Sequence, residues 1–63
     1  MIGIGTLIYG LHSGIFKEEA VDEDKRIEAF GCDWVVARGI ESGEVYFASG
    51  DGILSVIEGV LEL

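Results

Sequence analysis

Two apolar runs, Trp34-Val35-Val36-Ala37-Arg38 and Val45-Tyr46-Phe47-Ala48, frame the polar stretch Ile40-Glu41-Ser42-Gly43-Glu44. β-branched and aromatic residues dominate both runs, and they suit a pleated, half-buried surface. The polar stretch can turn in two ways. A two-residue Ser42-Gly43 turn sets Glu41 opposite Glu44, a repulsive like-charge pair. A three-residue loop, Glu41-Ser42-Gly43, pairs Ile40 with Glu44 and gives Gly43 the left-handed position. The second arrangement is preferred. It also sets Arg38 opposite Tyr46, where guanidinium and ring can stack.

Beyond this hairpin the period changes from strand to helix. Asp51, after Ser49-Gly50, is the expected N-cap, and Ile53, Val56, Ile57, Val60 and Leu61 recur at i, i+3, i+4, i+7 and i+8. Ser55, Glu58, Gly59 and Glu62 take the other face, with Leu54 at its margin. The apolar stripe is wide enough to meet both its own sheet and a second subunit. Those five residues are therefore the expected oligomer interface.

On the N-terminal side, residues 1–16 carry no charged side chain, with His12 neutral. Ile2, Ile4 and Ile8 share one parity and Gly3 and Gly5 the other, which reads as a buried strand, and Gly10 to Gly14 as a turn. The stretch falls short of the roughly 20 residues that span a bilayer, and it lacks basic flanks. Neither a membrane anchor nor a secretory leader is expected, and the single cysteine suits a cytoplasmic protein.

Residues 17–30 leave two readings open. A helix would stack Glu18 on Asp22, Glu19 on Glu23 and Asp24 on Glu28, all repulsive, with Asp22 and Arg26 the one favourable pair at that spacing. A shorter helix from Asp22 to Phe30, capped by Asp22 and Gly31, avoids part of this. The rival is a hairpin, Ile15–Ala20 and Lys25–Phe30 flanking an acidic turn, and the repulsion inclines the reading towards it.

The fold class is thus α+β. One domain spanning 1–63 carries a small antiparallel sheet of three to four strands and one C-terminal amphipathic helix. Over residues 34–63, a hairpin followed by Ala48-Ser49-Gly50-Asp51 and a helix resembles the antitoxin half of HicB-type modules. The DNA-binding extension of that family is missing, and no functional residue is carried across.

Size then bears on assembly. A chain of 63 residues buries about 60% of its unfolded surface, and its core rarely supplies more than ~3–5 kcal/mol. One cysteine forms no internal disulfide. His12 and Cys32 are the only soft ligands, where a structural zinc needs four. A homo-oligomer, most simply a dimer, is the remaining device.

The chemical motifs nearly match and then fail. Gly3-Ile4-Gly5 lacks the third glycine of a dinucleotide fingerprint, since Ile8 stands there. Gly5 and Gly10 are spaced as in a phosphate loop, but Leu11-His12 replace the lysine and hydroxyl residue. Asp22, Asp24 and Glu28 suggest a calcium loop that Arg26 and Ile27 spoil. No cofactor or metal is expected. His12 and Cys32 beside Asp33 could act as base and nucleophile, although a small core residue is the plainer reading of Cys32. Four basic residues among twelve acidic ones argue against direct nucleic-acid binding.

The positive signal is acidity. The net charge is -8, and Glu18, Glu19, Asp22, Glu23 and Asp24 fall within seven residues. They are the expected contacts to a partner protein with a basic surface, reached by electrostatic steering. Short acidic chains of this kind are a frequent form of virus-encoded inhibitor. The expected function is accordingly non-enzymatic. The alternatives are a small-molecule-binding oligomer, with a pocket between subunits near Gly3, Gly5 and Trp34, and a small enzyme built on Cys32 and His12. Acids that merely keep an apolar oligomer soluble are the plainer account of the charge.

Overall fold

A computed structural model of the chain describes residues 2–16 and 23–61, excepting the side chains of 11–13, 60 and 61. In chain order it contains β1 (Leu7–Ile8), a 3-10 helix (Gly10–Ile15), β2 (Lys25–Gly31), β3 (Trp34–Gly39), β4 (Val45–Ser49) and α1 (Ile53–Leu61). The strands form one sheet in the order β1-β2-β3-β4, each antiparallel to its neighbour. The expected α+β class, antiparallel sheet and C-terminal helix are all present.

Alternation builds the core. Lys25 and Ile27 of β2, Val35, Ala37 and Gly39 of β3, and Ala48 of β4 point to the covered face. Arg26, Glu28, Arg38, Val45 and Phe47 lie on the other. A bulge between Ile27 and Ala29 breaks the period of two. It puts Glu28 and Ala29 on the outer side in succession, so that Ile27 and Phe30, three apart, both reach the core. Ile2, Ile8, Phe16 and Ile57 close that core from the N-terminal segment and from α1.

Several expectations need correction. β2 pairs with β1 and β3; of its expected hairpin partner Ile15–Ala20, Ile15 ends the 3-10 helix, and residues 17–20 lie outside the described residues. No helix forms over 25–30. The N-terminal strand shrinks to two residues because Gly5, at a φ of 90°, turns the chain after Ile4. Ile2 and Ile8 stay inside, while Ile4 is 69% exposed.

The β3–β4 register differs by one residue. Gly39 N–H donates to Glu44 O and Gly43 N–H to Gly39 O, giving a four-residue loop. Arg38 therefore faces Val45, and Ala37 faces Tyr46. Gly43 does take the left-handed position, with a φ of 74°.

The helix start moves as well. The first intrahelical bond runs from Val56 N–H to Gly52 O, so Gly52, at a φ of 75°, holds the cap position expected of Asp51. The buried face is rotated from the expected stripe. Ile57 is fully buried, and Ile53 and Leu54 pack against the core, but Val56 is 53% exposed. The side chains of Val60 and Leu61 lie outside the described residues. Val56→Asp is consequently expected to keep the fold, with stability changed by no more than about 0.5 kcal/mol in urea melts. A melt that shows an unfolded Val56→Asp chain would mean that this helix face is inward after all.

Candidate functional site

Among the described residues, four hydrogen bonds converge on a carboxylate that the sequence reading placed on the surface. Glu23, just ahead of β2, is 6% exposed. Its Oε1 accepts from the backbone N–H of Glu41 (3.1 Å) and of Ser42 (2.9 Å). Its Oε2 accepts from the Ser42 hydroxyl and from the Tyr46 hydroxyl at 2.8 Å. Ser42 Oγ in turn accepts from Glu44 N–H at 3.0 Å. The carboxylate thereby organises the β3–β4 loop. Hydrogen bonds from the side chain and backbone of Ser42, and then from Tyr46 and Glu41, outweigh desolvation and lower the Glu23 pKa from 4.5 to about 2.

Close approach to β3 is a condition of this arrangement. A Cβ on Gly39 would stand 2.4 Å from the Glu23 carboxyl carbon, so only glycine leaves room for it. Lys25 lies beside the same cluster and is fully buried. Its Nζ donates to the Glu23 carbonyl at 2.7 Å and lies 4.7 Å from the centroid of Tyr46 and 5.6 Å from that of Phe16. Tyr46 thus serves a cation with its ring face and an anion with its hydroxyl.

The two arginines are held on the outer side. Arg26 Nη1 donates to Gly5 O at 3.0 Å. Arg38 Nε donates to Glu28 Oε2 at 2.8 Å and its Nη1 to Gly43 O at 2.8 Å. The Glu28 hydrogen bond and charge raise the Arg38 pKa. The expected stacking of Arg38 on Tyr46 is replaced by these bonds, because the register puts the two side chains on opposite faces.

Of the five acids expected to meet a partner, Glu18, Glu19 and Asp22 lie outside the described residues. Asp24 is exposed, and its Oδ1 accepts from Gly10 N–H at 2.7 Å. Glu23 is corrected from a surface contact to a buried loop anchor. The signal for it was the alternation Glu23, Lys25, Ile27, which puts all three on one face of an extended chain. Counted only as part of an acidic run, Glu23 loses that phase.

Comparison with protein families, curated proteins and solved structures finds no match to this chain. The site must be judged on its own geometry.

Cys32 occupies the β2–β3 turn, exposed rather than in the core, with Sγ 4.0 Å from Asp33 Oδ1. The His12 side chain lies outside the described residues. A groove of about 510 Å³ opens beside Phe47–Gly50, with Ile15, Ile53 and Val56 among its lining. Gly3, Gly5 and Trp34, expected at a pocket between subunits, do not line this groove of the single chain. Instead Gly5 N–H donates to Ile27 O, and Trp34 faces Gly31 and Ser49 across the sheet. Among the described residues no helix is long and apolar enough to cross a membrane.

Proposed function

We propose that the chain is a non-enzymatic, acidic binding protein that acts as a homo-oligomer and occupies a basic surface of a partner protein. It would work in the manner of virus-encoded inhibitors. The observation that carries this reading is the disposition of the cations. Lys25 is buried, Arg26 is bonded to the Gly5 carbonyl, and Arg38 is bonded to Glu28 and the Gly43 carbonyl. Asp24, Asp33, Glu41, Glu44 and Asp51 are exposed, in a chain of net charge -8. Among the described residues each positive side chain is engaged within the chain, and the exposed acids outnumber the two exposed arginines, so the net field is negative. Such a field speeds encounter with a basic surface and repels an acidic one.

The decisive variant replaces Glu18, Glu19, Asp22 and Asp24 by serine and keeps Glu23, whose carboxylate holds the loop. Its expected fold is that of the parent: Asp24 is exposed, and substitutions at exposed positions usually change stability by less than about 0.5 kcal/mol each. Binding to a partner captured from host extract is expected to collapse. The parent's association rate should fall steeply as salt rises, because at ~0.15 M ionic strength a surface charge is felt over only about 8 Å. Equal affinities of parent and variant, with no salt dependence, would remove the acidic segment from the mechanism.

A further inference from the structure

We infer that two copies of this chain join edge to edge through β4, antiparallel across a two-fold axis at Phe47, so that the two sheets become one. The argument starts from the hydrogen-bond phase of β4. Gly39 bonds with Glu44 at one end of the β3–β4 ladder, and Gly50 N–H donates to Asp33 O at the other. Hydrogen-bonded and non-hydrogen-bonded pairs alternate in an antiparallel ladder. Glu44, Tyr46, Ala48 and Gly50 therefore turn their backbone groups towards β3. Val45, Phe47 and Ser49 turn theirs to the open side of the sheet. Among the described residues none of these three has a hydrogen-bond partner there.

Among the described residues the edge lacks the usual protections. Natural edge strands are blunted by charge, proline, a bulge or brevity. β4 is five residues long, carries no charge and no proline, and pairs with β3 without a register shift. Val45 is 53% and Phe47 61% exposed. The opposite edge differs: β1 has only two residues and follows directly on the turn at Gly5.

A strand edge accepts another strand, and the sequence favours the strand's own copy. Pairing across a dyad at Phe47 sets Phe47 against the partner's Phe47 and Val45 against the partner's Ser49. Each of these pairs is of the hydrogen-bonded kind, in which the two residues exchange both bonds. Glu44 then faces the partner's Gly50, and Asp51 faces the partner's Gly43. No carboxylate opposes another, which matters where each copy has a net charge of -8. The groove along Phe47–Gly50, lined by Asp51 as well as by Ile15, Ile53 and Val56, offers three apolar side chains to the incoming strand. This contact is the sheet edge, not the helix stripe that the periodicity suggested. It rests on the homo-oligomer part of the function proposed above, not on its acidic surface; a chain monomeric at all concentrations would fail both, whereas a dimer unmoved by Phe47→Glu would fail the β4 edge alone.

Sedimentation velocity on the full 63-residue chain, from micromolar to millimolar concentration, is the measurement. The expected species has twice the 6.8 kDa chain mass. Its association tightens as salt rises from ~0.05 to ~0.5 M, because the like charge of the two copies is screened. Phe47→Glu puts two carboxylates together at the dyad and is expected to weaken association by about 100-fold or more. Circular dichroism should show the monomer fold retained, as Phe47 is mostly exposed. Phe47→Pro, which removes the central outward N–H, is expected to have the same effect, an edge strand tolerating proline there. If the proline variant unfolds, Phe47→Glu decides. A chain that stays monomeric to millimolar concentration overturns the inference. So does a dimer unmoved by Phe47→Glu.

Discussion

Ile57→Ala is expected to leave most of the chain unfolded at 25 °C. Ile57 is fully buried on α1, the layer that covers the sheet, and among the described residues it joins a core of eight buried apolar residues. Truncating a buried isoleucine to alanine costs about 2–5 kcal/mol, from lost transfer energy and the cavity left behind. A domain of this size holds a margin of about 3–5 kcal/mol. The two figures are comparable, so no reserve remains. Urea melts followed by far-UV circular dichroism would show this as a midpoint near zero denaturant. The neighbouring Val56 supplies the contrast, because its replacement removes surface that is already wet. Equal destabilisation by Ile57→Ala and Val56→Ala would contradict the orientation of the helix.

Glu23→Ala is expected to lower the melting temperature at pH 7 by about 10 °C or more, since one carboxylate terminates four hydrogen bonds from the loop and Tyr46. Acid should act through the same group. The folded pKa, about 2, lies below the ordinary 4.5. The stabilisation from the ionised group is therefore complete above 4.5, is lost as pH falls from 4.5 towards 2, and is absent below both values. Acid also neutralises the other carboxylates and relieves their mutual repulsion, which opposes this loss. The difference between the parent and Glu23→Gln isolates the Glu23 contribution. It should be large at pH 6 and shrink as pH falls towards 2. A difference independent of pH over that range would show that the charge of Glu23 adds nothing to the hydrogen bonds.

What the sequence made legible follows from periodicity. Val35 and Ala37, alternating with Val36 and Arg38, phase β3 correctly, and Ile53 with Ile57 marks a helix wherever its first turn begins. What it left hidden depends on contacts made across the chain. The bulge that carries both Ile27 and Phe30 inward has no local signal, since Glu28-Ala29 is an ordinary dipeptide. The β3–β4 register follows the loop, and the loop is shaped by a carboxylate from 18–19 residues earlier. The helix phase was displaced because Val56 and Leu54 are equally apolar by type, and only the sheet beneath distinguishes them. For the candidate site, Asp24 was read in its exposed place. Glu23 was not, because burial of an acid is decided by donors that arrive from Ser42 and Tyr46.

The meander order of the strands also sets a sequence of events in folding. Gly31 and Trp34 flank a turn of two residues, and Gly39 and Glu44 one of four. The pairing of Ile8 with Lys25, in contrast, closes sixteen intervening residues. Each doubling of a flexible loop adds about 0.6 kcal/mol of closure entropy, so β1 starts about 1.2 kcal/mol behind the β3–β4 turn. The three-stranded unit from Lys25 to Ser49 is thus the natural nucleus, with β1 joining late. Substitutions at Val35 or Ala37 should slow folding, whereas those at Ile8 should mainly speed unfolding.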